Sequence, residues 1–264
     1  RTMMRYGKSL ATAALLLFGA AAGSDLQVDN TLAPDADRAL STPGDVESLI
    51  AGSWTTWWSM NSSYNGLAPA LSTMSFQHSA YPANFGMVDY SVIPRRTIPN
   101  SPSWGYYTHF HNPYTWGYRA IAAVNDAFRA IDEEKVDLGS NEPRARAFGR
   151  FVQGIAYGYL AMLYDKGAVV DETADLLAPQ EYKTSADLFA QSMDYLDEAI
   201  EIATDNDFTI PKAWMHTVDD VESDLLAKMA HSFKARIRAN MPRTPAEAAE
   251  IDWQAVIDDI DNGV

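Results

Sequence analysis

Apolar side chains recur every three or four residues along most of this chain, and this spacing predicts helices rather than strands. Two segments show it best. In residues 116–131 the apolar positions are Trp116, Ala120, Ile121, Val124, Phe128 and Ile131. In residues 143–164 they are Phe148, Phe151, Val152, Ile155, Tyr159, Met162 and Leu163. We predict that the first helix begins with Asn112 as its cap and Pro113 in its first turn, and that the second begins near Pro143.

Capping signals predict where further helices begin. Thr42 is followed by Pro43 and, three residues on, by Asp45, and Thr184 is likewise followed by Asp187. Other helices are predicted over about 220–241, after Thr244 and after Asp252, the last with these apolar positions: Trp253, Val256, Ile257 and Ile260. The small residues of "GIAYGYLA" (154–161) permit close helix approach. We therefore predict an all-α fold of tetratricopeptide-like stacked helix pairs, although the strict 34-residue repeat is absent.

A long irregular excursion from Asn61 to Asn112 interrupts the helical pattern and is rich in Pro, Gly, Ser, Asn and aromatic residues. Its end, "SPSWGYYTHFHNPYTW", holds six aromatic residues in sixteen. Aromatic rings with polar tips suit partly wet recognition sites, and flat rings stack on sugars. We predict that Trp104, Tyr106 and Tyr107 face a ligand. Other rings are predicted to hold the excursion onto the helices: Phe110, Trp116 and the face formed by Trp54, Trp57 and Trp58.

Motifs for catalysis and metal binding are missing from the sequence. His109 and His111 form a close pair, but they lack a third ligand at helical spacing, so we interpret them as polar residues of a loop. There is no G-x-S-x-G, no phosphate-binding glycine loop and no H-E-x-x-H. Adjacent acids such as Asp132 and Glu133 are typical of solvated helix surfaces. We predict a protein that is not an enzyme and needs no cofactor or metal.

Charge and cysteine content exclude several partners. The net charge is −15, and no basic stripe interrupts the acidic chain, which argues against nucleic acid and against docking on anionic lipid. The chain contains no cysteine, so disulfides, thiolate zinc sites and cysteine nucleophiles are excluded.

The N-terminus has the pattern of an export signal. Arg5 and Lys8 precede an apolar run from Ala11 to Ala22 that ends in small residues and is too short to span a membrane. Since the chain begins with Arg1, the natural start is predicted at Met3 or Met4. We predict a signal peptide at 1–23, an extended tether at 24–41 and a helical domain at 42–264.

Three segments together resemble the SusD/RagB family. They are "DLQVDNTLAPDADRALSTPGDVESLIAGSWTTWW" (25–58), "TWGYRAIAAVNDAFRAID" (115–132) and "ARAFGRFVQGIAYGYLAMLYDKGAVVDE" (145–172). The second resembles that family's W-x-x-Y-x-x-I-x-x-x-N helix, with Trp116, Tyr118 (shifted by one relative to Ile121) and Asn125 as the matching positions. The resemblance extends over nearly all of residues 25–264.

The resemblance implies a tetratricopeptide-like scaffold on the outer membrane, facing the cell surface. There it would capture oligosaccharides, or in some cases peptides, for a SusC-like TonB-dependent outer-membrane transporter. It also implies a longer protein, so we expect the printed chain to be the N-terminal part. Two other functions stay open: an exported helical-repeat adaptor that binds another protein, and a secreted glycosidase, which would need two acids about 5 Å or 6.5–9.5 Å apart.

Ser24 departs from the family pattern, because members are lipoproteins with an acylated Cys at this position. Serine cannot form the thioether. As printed, the sequence predicts cleavage near Ala22 and no lipid anchor, and a natural cysteine replaced by serine is an equally simple explanation.

Overall fold

The structure, a computed structural model, describes residues 40–79, 86–175 and 177–264. Within these ranges the regular secondary structure is helical, apart from two antiparallel pairs of very short strands, and the all-α prediction is confirmed. The predicted signal peptide and residues 24–39 of the predicted tether lie outside the described residues. In the part that is described, no helix has the length and apolar character needed to cross a membrane.

The bounds of the elements are as follows. The helices are α1 (Pro43–Ser62), α2 (Leu67–Met74), α3 (Met87–Ser91), α4 (Thr108–Asp132), α5 (Glu142–Leu163), α6 (Ser185–Asp205), α7 (Lys212–Met215), α8 (Ser223–Asn240), α9 (Pro245–Ala249) and α10 (Trp253–Asp261), with a 3-10 turn at Gly139–Asn141. The strands are β1 (Lys166–Ala168), β2 (Tyr182–Thr184), β3 (Thr209–Ile210) and β4 (Val221–Glu222). Strand β1 pairs with β2 and β3 pairs with β4, both antiparallel.

Side-chain caps fix the starts of α1 and α6. The Thr42 hydroxyl accepts a hydrogen bond from the backbone N–H of Asp45, and Pro43 occupies the first turn, where its missing N–H costs nothing. At α6, Thr184 and Asp187 form a complete capping box. Both predicted starts are confirmed. They could be predicted from the sequence because capping depends on neighbours within four residues.

The long helices stack side by side in sequence order: α1 packs on α4, α4 on α5, α5 on α6, α6 on α8 and α8 on α10. Helices α1, α5 and α8 also meet directly through aromatic rings. The Trp54 and Phe151 centroids are 6.1 Å apart, Trp57 and Phe233 are 5.7 Å apart, and Phe151 and Phe233 are 5.6 Å apart. This is the predicted tetratricopeptide-like packing.

Two glycines of α5 allow its neighbours to approach closely. A Cβ added to Gly154 would lie 2.6 Å from Leu196 Cγ of α6, inside ordinary contact distance, and one added to Gly158 would collide with Ile237 of α8. The expectation that small residues mark close approaches in this segment is confirmed. Helix α5 consequently has an unbroken buried run from Phe151 to Ala161.

The structure corrects two of these expectations. Helix α4 begins at Thr108, five residues before the proline that was expected to open it, and Pro113 lies buried inside the helix. Trp54 and Trp57 pack on α5 and α8 rather than on the excursion, and Trp58 is 52 % exposed. The excursion includes two short helices, α2 and α3. The helix predicted after Asp252 is confirmed as α10, which buries Val256 and leaves its other apolar side chains about half exposed: Trp253, Ile257 and Ile260.

Candidate ligand-binding groove

One side of α4 forms the floor of a groove. Because the helix begins at Thr108, the preceding Tyr107 is continuous with it, and the following side chains share one face at helical spacing. They are Tyr107, His111, Tyr114, Thr115, Tyr118, Arg119 and Ala122. Because the irregular excursion was predicted to extend from Asn61 to Asn112, this face was not recognised from the sequence. Its signal, polar and aromatic residues at helical spacing from 107 to 122, was present in the sequence.

The opposite wall is the β1–β2 hairpin, which contributes Ala168, Gln180 and Tyr182. Ala168 and Tyr182 are paired across the two strands, and Tyr182 is 66 % exposed. The groove is open to solvent, and its volume of about 730 Å³ is within the size range of small-ligand sites. We call this cavity the tyrosine groove, after Tyr107, Tyr114, Tyr118 and Tyr182.

Hydrogen bonds from α4 and α5 hold the hairpin in place. The Tyr118 hydroxyl donates to the carbonyl of Ala168 at 2.9 Å, and the Asn125 amide donates to the carbonyl of Val170 at 3.2 Å. The Tyr157 hydroxyl donates to the same Val170 carbonyl and accepts from the Val170 N–H, each at 2.9 Å. Tyr118 and Asn125, two matching positions of the motif helix, thus position the second wall.

An ion pair secures the segment that leaves β1. Arg150 of α5 pairs with Glu172 at 2.7 Å, and both side chains are nearly buried. Arg129 of α4 donates to the backbone carbonyl of Glu172 at 3.0 Å. Both walls of the tyrosine groove are therefore fixed to the helical scaffold, and a ligand would meet a site that is already formed.

The tyrosines of the groove contact one another and their surroundings. The Tyr114 ring lies 4.8 Å from Tyr118 and 5.0 Å from Tyr164, whose hydroxyl donates to the carbonyl of Phe110. Burial raises the pKa of Tyr114 and of Tyr118, and the two phenols interact. Both stay protonated at neutral pH, so the groove offers neutral rings for stacking.

Polar groups at the edge of the groove are available to a ligand. Tyr107 stacks on His111 with the ring centroids 5.3 Å apart, and the imidazole makes two long contacts of 3.4 Å, to the Tyr107 hydroxyl and to the Thr115 hydroxyl. The Gln180 side-chain amide donates to the carbonyls of Asp175 and Ala178, which directs its N–H groups into the hairpin and leaves its oxygen as an acceptor.

The three residues predicted to face a ligand separate in the structure. Tyr107 lines the tyrosine groove. Trp104 and Tyr106 are half-buried, lie 5.5 Å apart and pack in a ring cluster with Tyr90, His109 and Phe110. Phe110 therefore holds the end of the excursion, as expected. The ligand role of all three residues stays a prediction.

His109 and His111 belong to helix α4, not to a loop. His109 is buried, and neither ring nitrogen has a hydrogen-bond partner in the described structure. Burial lowers its pKa. His111 is exposed on the groove side. Across the described ranges, no cluster of three or more histidines or acids is placed to hold a metal ion.

A second, larger cavity of about 1350 Å³ lies beside α2 and the end of α1. Short side chains from 61–79 form most of its lining, with Tyr64, Tyr159 and Arg236 as the larger groups. The described residues at its edge stop at Ser79. We favour the tyrosine groove as the candidate site, because it is smaller, contains more aromatic rings and has two anchored walls.

Comparisons with known proteins bear on the fold. No protein-family model matches the sequence, and no curated protein matches it. Among solved structures, a SusD superfamily protein from Bacteroides vulgatus ATCC 8482 matches 83 % of this chain at 14 % identity with a TM-score of 0.54. A SusD-like carbohydrate binding protein from the same organism matches 83 % at 16 % identity with a TM-score of 0.51. The chain spans 42 % and 45 % of those two proteins. It has the SusD-like fold.

Proposed function

We propose that this protein is a cell-surface nutrient-binding subunit that captures oligosaccharides in the tyrosine groove. The observation that carries the proposal is the set of four tyrosines on two anchored walls of one 730 Å³ cavity. Rings of this kind offer flat apolar faces, while Thr115, Gln180 and Arg119 at the edge offer groups that hydrogen-bond hydroxyls.

The fold supports the same proposal. One of the two similar structures is described as a carbohydrate binding protein, and this chain shares the fold. We further propose that the protein sits at the outer membrane and passes its ligand to a SusC-like TonB-dependent transporter. The export signal predicted at 1–23 agrees with this location, and binding without catalysis agrees with the lack of catalytic motifs.

Calorimetric titration of the mature protein against a panel of neutral and charged oligosaccharides, and against peptides, tests the binding step. We expect at least one oligosaccharide to bind. Tyr107→Ala and Tyr182→Ala should each weaken it about three- to tenfold, because each removes one ring contact. Tyr64→Ala is the matched control: it removes an exposed tyrosine that lines the larger cavity.

The outcomes separate the possible sites. If Tyr64→Ala weakens binding while the two groove variants do not, the ligand site is the larger cavity. Trp104→Ala and Tyr106→Ala test the remaining predicted residues, and loss of binding without loss of thermal stability would place them in the site. If no oligosaccharide binds, the proposed function is wrong.

The transporter step needs its own experiment. The tagged full-length protein, extracted gently from outer membranes of its host, should bring a TonB-dependent barrel in stoichiometric amount. The mass of the mature N-terminus in the same sample shows whether residue 24 is a lipidated cysteine or a free serine. Recovery of the protein without a barrel would leave a binding protein that acts alone.

A further inference from the structure

The lining of the tyrosine groove is unusual in its charge. The chain holds 35 acidic residues and has a net charge of −15, yet no Asp or Glu is among the described residues that line this cavity. Arg119 is the one lysine or arginine among these described lining residues. The described lining thus carries one guanidinium and no carboxylate, on a strongly acidic protein.

Arg119 also lacks the contacts that its counterparts make. In the described ranges it forms no hydrogen bond, ion pair or cation–π contact. The other described arginines each contact a carboxylate, a backbone carbonyl or an aromatic ring. One turn away in either direction α4 offers Thr115, Trp116, Ala122 and Ala123, so the helix itself supplies no acid.

Two acids close in sequence to the lining residues have ion-pair partners. Glu181, which precedes β2, pairs with Lys183 at 2.6 Å. Asp126, farther along α4, pairs with Arg129 at 3.1 Å. The guanidinium of Arg119 therefore keeps its five donors for a ligand.

Resting on the proposed function, we infer that the tyrosine groove selects anionic oligosaccharides, with the Arg119 guanidinium binding a carboxylate or sulfate of the sugar. A guanidinium presents a planar fork that matches two oxygens of either group, and charge-assisted hydrogen bonds are about twice as strong as neutral ones. The tyrosines would then stack on the sugar rings, while Arg119 supplies the preference for charge.

The test is a set of matched ligands measured by calorimetry at low and high salt. A tetragalacturonate is compared with its methyl ester, which removes the carboxylates, and a sulfated galactan oligosaccharide is compared with its desulfated form. We expect at least one anionic member to bind about tenfold tighter than its neutral counterpart, and this preference to shrink as NaCl rises from 50 to 500 mM. The pair that shows the preference identifies carboxylate or sulfate as the recognised group.

Variants assign the preference to a residue. Arg119→Gln should lower the affinity for the anionic ligand to that for its neutral counterpart, whereas Arg119→Lys should retain part of the roughly tenfold preference. Arg96→Gln, which removes an exposed arginine outside the groove, is the control and should bind like wild type. Equal binding of charged and neutral sugars, with unchanged affinity in Arg119→Gln, overturns the inference and leaves the proposed function standing. Absence of all sugar binding rejects both.

Discussion

Gly154 provides a quantitative test of the packing that supports the groove. It is buried in α5, where an added Cβ would lie 2.6 Å from Leu196 Cγ, 2.9 Å from Leu196 Cδ2 and 3.1 Å from the Leu196 backbone nitrogen. The Ser192 hydroxyl also donates to the Gly154 carbonyl at 2.7 Å, which ties α6 to α5 at this point. Gly154→Ala therefore requires a shift of the α6 backbone, since a rotation of Leu196 alone does not relieve the contact with its nitrogen.

The expected magnitude follows from two opposing effects. Overpacking a core costs about 1–3 kcal/mol, and the upper part of this range applies where backbone must move. Replacing Gly by Ala inside a helix stabilises the folded state by about 1 kcal/mol. The net expectation is a loss of about 1–2 kcal/mol in the free energy of unfolding. In a domain of this size that corresponds to a fall of about 2–8 °C in Tm.

Gly52→Ala is the matched control. Gly52 is exposed on α1, and an added Cβ would have no atom within 4 Å. This variant should gain about 0.5–1 kcal/mol from helix propensity alone. Urea unfolding and differential scanning calorimetry measure both variants. If Gly154→Ala is as stable as Gly52→Ala, the close approach of α5 and α6 is not the constraint that the structure describes.

Three further predictions concern His109, Thr184 and Tyr118. Burial lowers the pKa of His109 below its ordinary value of 6.5. The unfolded state therefore binds this proton more readily than the folded state does. The folded protein is accordingly most stable above pH 6.5, where the ring is neutral in both states, and it loses stability as the pH falls below that value. His109→Phe should therefore flatten the decline of Tm between pH 7 and pH 5, and an unchanged decline contradicts this. Thr184→Ala removes the cap of α6 and should lower the free energy of unfolding in urea by about 1 kcal/mol. Thr184→Ser keeps a hydroxyl at this position and should retain most of the stability of the wild type. Tyr118→Phe removes the hydrogen bond to Ala168, and we expect faster amide exchange in β1 and β2 while the core of α5 stays protected. Exchange rates in β1 and β2 equal to those of the wild type would show that the hairpin does not depend on this bond.

Helix positions could be predicted from the sequence where their signals are local. The caps at Thr42 and Thr184 act within one turn, and the apolar periodicity of α5 is set by its own residues, so each was visible without a structure. Pro113 shows the limit of the same reasoning. A proline suits the first turn of a helix, but here the helix begins at Thr108, before the proline. Ring contacts among Trp104, Tyr106 and Phe110 lie at this earlier start.

The last helix begins where predicted, with Asp252 as its cap, but its burial depends on distant partners. The structure buries Asp259 and leaves Trp253 54 % exposed. Asp259 lies between His231 at 2.9 Å and Arg238 at 2.9 Å, both on α8, so its charge is compensated on burial. A carboxylate with partners more than twenty residues away gives no periodic signal of its own.

Only one side of the candidate site could be predicted from the sequence. The α4 side of the groove is a stripe at helical spacing and could be read from the sequence once the helix start is known. The hairpin side could not, because Tyr182 reaches the groove only through the pairing of β1 with β2 and the bond from Tyr118 to Ala168. Tyr118 therefore has two roles, one in lining the groove and one in holding the hairpin. Its ring faces the groove, but its hydroxyl is committed to the hairpin, so ligand hydroxyls must be bound by the groups around it. Substitutions that alter ligand preference without loosening the site are thus expected at Tyr107, Arg119 and Tyr182, and not at the residue that joins the two walls.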